Sequence, residues 1–382
     1  MSTNQNIPHT LLPLKKDSAV VRFIVAGGGT GGHIFPAIAI ANAIKKILPN
    51  AQFLFVGATG KMEMEKVPQA GYNIVGLNIA GFNRSALIKN ITLPYKLIKS
   101  FFQVRSIFKT FTPTAVIGVG GYSSFPVLRF AQSKGIKTFI HESNSFAGKS
   151  NILLGKKATK IFVAIDGMEK FFPANKIIIS GNPVRQNIIN SVITKQQAID
   201  FFGLDAHKKT VLSIGGSLGA KSINEAIANN IDAFKNSNVQ LIWQTGKPYA
   251  NKAKQVVANQ KNIWTNDFIT QMEYAYAAAD VVISRSGAMS VGELCVVKKP
   301  SIFVPYPFAA EDHQTVNAKK LVDKNAAMTI KDSEASNTLI PTTLALINDE
   351  IKQQQLIKNI TPFGITNADE VVANEIIKLS LN

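Results

Sequence analysis

The chain holds a single cysteine, Cys295, in 382 residues. An intrachain disulfide is excluded, and the apolar neighbours Leu294 and Val296 mark a buried structural thiol suited to a reducing, cytoplasmic setting. No apolar run approaches the roughly 20 residues of a spanning helix, so the chain is not expected to cross a membrane. Residues 1–18 are polar, contain two prolines and lack an apolar stretch of signal-peptide length, and they read as a disordered leader. Acidic residues are scarce in one half only. Residues 1–183 hold 22 Lys and Arg against 6 Asp and Glu, with no acid between Glu65 and Glu142, whereas residues 184–382 hold 20 against 18. The net charge of +18 therefore sits almost wholly in the first half, which calls for an anionic surface or substrate facing it.

What is present is globular: 46% hydrophobic and 17% charged residues, in a length sufficient for two domains with separate cores. Residues 20–36 organise the rest. β-Branched and aromatic residues from Val20 to Ala26 feed Gly27-Gly-Gly-Thr-Gly-Gly-His33, and an apolar helical pattern with Pro36 in its first turn follows. This is a strand, a tight turn and a helix N-terminus. Glycines let the backbone approach a ligand, and unpaired N–H groups of the first helical turn point at it, so the turn is an anion seat. Gly27-x-Gly29-x-x-Gly32 also fits the dinucleotide fingerprint. The ribose-holding carboxylate that fingerprint needs is missing, because the second strand, Phe53-Leu-Phe-Val56, ends in Gly57-Ala-Thr-Gly60.

The pattern repeats along the first half. Thr114 to Val119 is a buried strand ending in Gly120-Gly-Tyr122, and Lys137-Thr-Phe-Ile140 is a strand ending in His141-Glu-Ser-Asn144. Polar residues bunched where parallel strands stop are where open α/β sheets bind ligands. The structural alternative makes His141 and Glu142 caps of the following segment, and it is preferred for His141. Strands at residues 160–163 and 176–179 lead to the breaker cluster Gly181-Asn-Pro183, where the charge balance also changes, placing a domain boundary near 183. Ahead of the strand at Thr114, Leu97, Phe101, Val104 and Phe108 form a helical stripe; Ile98 and Phe102 widen it, and Lys89, Lys96, Lys99, Arg105 and Lys109 add a cationic fringe. The segment reads either as a core helix with a solvated basic side or as one dipping into an anionic leaflet. Its phenylalanines lie at helical spacing and not on a strand platform, which argues against nucleic acid.

The second half restarts with Thr210 to Ile214, then Gly215-Gly-Ser-Leu-Gly-Ala220 and a helix from Lys221. Ala220 breaks the near match to a P-loop, and Asp280 precedes its strand instead of ending it, so a nucleoside triphosphatase is not expected. The turn can still seat a diphosphate, with Ser217 and backbone N–H groups as donors. Strands are expected at residues 240–243, 262–264, 268–269 and 280–284. Arg285-Ser-Gly-Ala-Met-Ser-Val-Gly-Glu293 then puts Glu293 one to two turns into a helix, within reach of the ribose of a nucleotide whose phosphates sit at its start. The alternative is a solvated acid complementing the helix dipole. A last strand at residues 301–305 precedes a helix bearing His313 and Gln314, and a tail helix from Ala368 to Leu381 returns to the first domain.

Two doubly wound α/β domains with a glycine turn at each facing edge describe the GT-B architecture. Gly28-Gly-Thr-Gly-Gly-His33, Gly120-Gly-Tyr122, His141-Glu142 with Asn144, Gly181-Asn-Pro-Val-Arg185, Gly215-Gly-Ser217 with Gly219-Ala220, and Arg285-Ser-Gly-Ala288 with Glu293 together resemble the MurG family. These are the UDP-N-acetylglucosamine transferases that make lipid II from lipid I in peptidoglycan synthesis. The likeness runs from about Phe23 to the tail helix. It implies two Rossmann-like domains facing each other across a cleft: an acceptor and membrane-facing domain at 19–183, a UDP-sugar domain at 184–362, and a helix at 363–382 crossing back.

Residue by residue, the resemblance places Thr30, Gly31 and Gly32 against the sugar donor, and Gly29, Gly120, Gly121 and Tyr122 against the acceptor diphosphate. It puts Asn144, Arg185 and Ser217 on the donor, the latter two at its diphosphate, and lets Ile269 read uracil through its backbone. Ala288, Met289, Ser290, Val291, Gly292 and Glu293 would hold phosphate and ribose, and Gln314 the sugar hydroxyls. Ser143 replaces a glutamine common in the family, and His313 precedes Gln314 where two glutamines are usual. The implied reaction is a direct, inverting displacement without metal or cofactor, with His33 as leading general base and Glu142 as runner-up. Lys96, Ile98, Lys99, Phe102 and Arg105 would form a face docking on the anionic cytoplasmic leaflet of the inner membrane, where lipid I resides. Cell-wall synthesis and division proteins are candidate partners; nucleic acid is not. The rival on the same architecture is a UDP-N-acetylglucosamine 2-epimerase or another lipid-acceptor UDP-sugar transferase.

Overall fold

The computed structural model describes residues 20–79, 93–216, 218–235, 237–258, 260–309 and 312–381. The leader at 1–18, Lys89 and Ser217 lie outside the described residues. Seven strands form the first sheet: β1 (Arg22–Ala26), β2 (Gln52–Ala58), β3 (Asn73–Leu77), β4 (Ala115–Gly118), β5 (Lys137–Glu142), β6 (Lys160–Val163) and β7 (Ile177–Ile179). Six form the second: β8 (Lys209–Ile214), β9 (Val239–Gln244), β10 (Ile263–Asn266), β11 (Val281–Ser284), β12 (Ser301–Phe303) and β13 (Met328–Thr329). The spatial orders are β3-β2-β1-β4-β5-β6-β7 and β10-β9-β8-β11-β12-β13, with all neighbours parallel. Each order reverses once, between β1 and β4 and between β8 and β11. A crevice opens beyond the strand ends at such a reversal, and the glycine turns after β1, β4, β8 and β11 all sit there.

Alternation along the strands builds the layers. Phe23 and Val25 enter one core of the first sheet while Ile24 and Ala26 enter the other, and Leu241 and Trp243 oppose Ile242 in the second. Both faces are covered, as parallel sheets require. The tail helix Ala368–Leu381 sends Val372, Ala373, Ile376 and Ile377 into the first sheet's core. Lys46 pairs with its Glu370 at 3.2 Å, and Gln186 donates to its Asp369 at 2.8 Å. Cys295 is buried, and burial pushes its thiol up to about 12, consistent with an inert packing role. Among the described residues no helix is long and apolar enough to cross a membrane.

Two local expectations need correction. Residues 268–269 are not a strand: the Ile269 N–H goes to the Gln244 side chain at 3.2 Å and not to a ladder partner. In the helix Leu93–Phe111, Val104 and Phe108 are buried, but Tyr95, Ile98 and Phe102 are 68%, 59% and 67% exposed. A purely core-facing helix does not account for that row.

Candidate active site

His33 stands in the first turn of the helix Gly31–Ile47, directly beyond β1. Thr30 is the N-cap in extended conformation, which leaves the N–H groups of Gly31 and Gly32 without intrahelical acceptors. His33 Nδ1 lies 3.0 Å from the Gly28 carbonyl, with Thr30 Oγ1 3.5 Å away. A carbonyl only accepts, so the neutral ring carries its proton on Nδ1 and keeps the Nε2 lone pair. Nε2 faces Gly120 so closely that a Cβ there would sit 2.9 Å from it. Burial lowers the His33 pKa below 6.5; Glu142, the Gly28 carbonyl and Glu63 oppose that shift, while His313 adds to it. The imidazole is thus neutral at neutral pH, as a base must be.

Glu142 is fully engaged. Oε1 accepts from the Asn144 N–H at 3.0 Å and Nδ2 at 3.2 Å, and Oε2 accepts from the Gly148 N–H at 3.1 Å and Asn151 Nδ2 at 2.9 Å. Four donors occupy the roughly four lone-pair sites of a carboxylate, leaving none for a substrate proton. This geometry favours His33 over Glu142 as the base. It also turns the Asn144 side chain, expected on the donor, inward onto Glu142. His141 is not a cap: it is fully buried, with Nε2 3.2 Å from the Gly181 carbonyl and Nδ1 3.3 Å from Ser143 Oγ. Burial lowers its pKa to about 4, so it is a neutral tie between β5 and the linker.

Gly29 departs from its expected role, because its N–H donates to Glu63 Oε2 at 2.8 Å and is not available to an acceptor diphosphate. Gly121 accepts from Ser124 Oγ through its carbonyl at 2.9 Å, and Tyr122 is 52% exposed beside it.

The donor side starts at the helix Ala288–Val297, whose first turn carries Ala288, Met289 and Ser290, followed by Val291 and Gly292. Glu293 is buried, not solvated. Its Oε1 accepts two bonds of 3.0 Å from Arg185, and its Oε2 accepts from the Tyr276 hydroxyl at 2.8 Å. The Arg185 guanidinium also stacks on the Phe35 ring of the helix Gly31–Ile47, 4.9 Å from its centroid. Gln244 Nε2 donates to the Gly216 carbonyl at 2.9 Å while its Oε1 takes the Ile269 N–H, so a uracil read by the Ile269 backbone would meet its carbonyl. Gln314 Oε1 accepts from the Tyr306 N–H at 3.0 Å, and its own carbonyl accepts from Ser286 at 2.8 Å. Lys221, in the near P-loop, lies 3.7 Å from Glu225 one turn along its own helix and is exposed.

Two asparagines to which the sequence reading gave no role join the halves. Asn182 Nδ2 donates to the Ser143 carbonyl at 3.1 Å and the Ala288 carbonyl at 3.3 Å. Asn317 Oδ1 accepts from Ser145 N–H and Oγ at 3.3 and 2.7 Å, while Nδ2 donates to the Ser286 carbonyl at 3.1 Å. The loop after β5, the linker and both donor-side helix starts therefore meet in one cleft. Lys96, Ile98, Lys99, Phe102 and Arg105 are not part of it; they lie on the helix Leu93–Phe111. Glu63, Tyr276 and Phe35 were also unforeseen. For Glu63 a signal existed: it is one of only six acids in the basic half and sits just beyond the second strand.

The N-terminal domain model of glycosyltransferase family 28 matches residues 23–163, and the C-terminal domain model matches residues 210–372. A protein of Parabacteroides distasonis is 50% identical over 360 residues, covering 94% of this chain and 98% of its own length. The chain belongs to glycosyltransferase family 28. That relative is named UDP-N-acetylglucosamine--N-acetylmuramyl-(pentapeptide) pyrophosphoryl-undecaprenol N-acetylglucosamine transferase, as is a Flavobacterium psychrophilum protein 50% identical over 358 residues, 94% of this chain and 97% of its own. The crystal structure of Acinetobacter baumannii MurG superposes with a TM-score of 0.71 at 27% identity, covering 94% of this chain and 99% of that one. With two facing doubly wound sheets, this family 28 chain has the GT-B architecture. The UDP-GlcNAc 2-epimerase of Neisseria meningitidis, at TM-score 0.67 and 13% identity over 94% of this chain and 100% of that one, shares the fold alone.

Proposed function

We propose that this family 28 chain is an inverting transferase moving N-acetylglucosamine from UDP-N-acetylglucosamine to the muramyl 4-hydroxyl of undecaprenyl-diphospho-MurNAc-pentapeptide, converting lipid I to lipid II. One observation carries the reading beyond the family: a neutral His33 with its Nε2 lone pair on the first-domain wall of a cleft whose other wall bears Arg185, Glu293 and a helix N-terminus. Residues 19–183 take the acceptor, residues 184–362 take the donor, and residues 363–382 return to the first unit. Uracil lies at the Ile269 carbonyl, ribose at Glu293, and the diphosphate at residues 288–292 with Arg185 and Ser217. Thr30, Gly31, Gly32 and Gln314 face the transferred sugar, while Asn144 acts from behind them through Glu142. Gly120, Gly121 and Tyr122 receive the acceptor diphosphate.

In the reaction the acceptor's 4-oxygen bonds to the anomeric carbon while the bond from that carbon to the β-phosphate oxygen breaks. The electron pair leaves with UDP, the hydroxyl proton passes to His33 Nε2, and the α linkage becomes β. Charge developing on the leaving diphosphate is stabilised by the helix N-terminus and Arg185. The row of Tyr95, Ile98 and Phe102, fringed by Lys96, Lys99 and Arg105, docks the first unit on the anionic cytoplasmic leaflet as a peripheral protein. Cell-wall synthesis and division proteins are candidate partners at that surface.

Transfer of label from UDP-[14C]N-acetylglucosamine into butanol-extractable lipid tests the function. Label that stays water-soluble with lipid I present would remove it. His33→Ala is expected to lower kcat by roughly 100- to 10,000-fold, the range of general acid–base catalysis, and near-normal turnover would remove the base assignment.

A further inference from the structure

We propose that Glu63 is a positioning residue for His33, acting through the single peptide group between Gly28 and Gly29. The inference rests on the reading of His33 as the base. The carboxylate is 1% exposed and lies beneath the first glycine turn. Oε1 accepts from the Ala58 N–H at the end of β2, at 2.9 Å, and Oε2 accepts from the Gly29 N–H at 2.8 Å. The other end of that same peptide group, the Gly28 carbonyl, is the acceptor of His33 Nδ1 at 3.0 Å. The order is therefore carboxylate, N–H, C=O, imidazole, with Nε2 at the end facing Gly120.

This is the arrangement of a carboxylate that orients a histidine, with one peptide inserted between them. An N–H bonded to a carboxylate polarises its peptide, which makes the carbonyl at the other end a stronger acceptor for an imidazole N–H. Two consequences follow for His33. Its neutral form is locked with the proton on Nδ1, and the imidazolium formed when Nε2 takes the acceptor proton is stabilised. The seat is built for this acid. A Cβ on Gly28 would lie 2.3 Å from the Glu63 carboxyl carbon, and one on Gly57 would lie 2.4 Å from its Cγ, so both turns need glycine to admit it. The other titratable groups around the ring are Glu142 and His141 from the end of β5, and His313 from the helix His313–Val322. Glu142 is held by its own four donors, and His141 by Gly181, so neither bonds to the imidazole.

The test is 15N NMR of histidine-labelled protein, whose five histidines are assigned with the help of His33→Ala. In the wild-type protein, His33 should show a protonated Nδ1 and a bare Nε2; a proton on Nε2 overturns the proposal without any variant. In Glu63→Gln, which keeps the shape but not the charge, the second tautomer should appear, the His33 pKa should fall, and the acid limb of kcat should move to lower pH. The expected loss in kcat is roughly 10- to 100-fold, the range for outer-shell partners of metal-bound histidine and smaller than for a carboxylate bonded directly to the ring, with donor KM unchanged. Glu63→Asp should recover part of the loss. A tautomer and pKa left unchanged in Glu63→Gln would reduce Glu63 to a loop strut and overturn the idea. Undiminished turnover in His33→Ala would instead sink the base assignment, and the tautomer result would stand apart from it.

Discussion

Arg185 and Glu293, expected on different parts of the donor, are bonded to each other: two guanidinium nitrogens lie 3.0 Å from one carboxylate oxygen. The Tyr276 hydroxyl holds the other oxygen at 2.8 Å. A ribose diol approaching Glu293 must therefore share or replace the Arg185 contact. In the proposed donor complex an Arg185 displaced in this way would turn to the diphosphate and give up its stack on Phe35, at the start of the helix that carries His33. One side chain, Arg185, thus bridges Glu293 and the helix that carries His33.

Removing either member separates binding from stability. Glu293→Gln should raise the donor KM by roughly 10- to 100-fold, the loss of a hydrogen bond to a charged group, and Tyr276→Phe should give a smaller rise in the same direction. Burial and the Glu293 charge keep the Tyr276 pKa well above 10, so the hydroxyl donates throughout the working pH range. Arg185→Ala strands a buried carboxylate, at a cost of about 3 kcal/mol. Thermal melting should fall by roughly 6–12 °C for a domain of this size. A donor KM indifferent to Glu293→Gln would contradict its ribose role.

Acid should destabilise the fold through His141. Its folded pKa of about 4 lies below the unfolded value of about 6.5, so above 6.5 the ring is neutral in both states and adds no pH dependence. Between 6.5 and 4 the unfolded chain binds a proton that the folded chain refuses, and stability falls by about 3 kcal/mol over that window. His141→Gln should flatten the loss of melting temperature between pH 7 and pH 4.5 relative to the wild-type protein. Parallel slopes would show that His141 is not the group responsible.

Vesicle binding should have two separable components. Replacing Lys96, Lys99 and Arg105 by Gln removes three cations worth about 1 kcal/mol each near an anionic surface, so affinity for anionic vesicles at low salt should drop roughly 100-fold. Ile98→Ser with Phe102→Ser should remove the part that survives high salt. Sedimentation with anionic and zwitterionic vesicles reads both, and unchanged binding in the triple variant would end the docking proposal.

Most of the framework was legible in the chain. β-Branched runs ending in glycine located the strand-to-helix turns, because only an open backbone can make them, and the stripe of Val104 and Phe108 located the buried face of its helix. The expected strand at residues 268–269 failed because two apolar residues carry no information about where an N–H goes, and Gln244 captured it. Glu142 looked like a base from its place at a strand end. Its neighbours on the following loop satisfy it instead, and spacing along a chain does not reveal how many donors converge on an oxygen.

Sequence alone determined the two α/β units, the cationic first half, the glycine turns and the pair His33 and Glu142 as candidate bases, since each depends on local pattern or on the chemistry of a single residue type. Tertiary structure decided which nitrogen of His33 holds its proton, that Glu63 lies behind it, and that Arg185, Glu293 and Phe35 meet. Those are contacts between residues 34 to 150 positions apart or within one turn's geometry, fixed only when the strand ends of both sheets are brought to a common cleft.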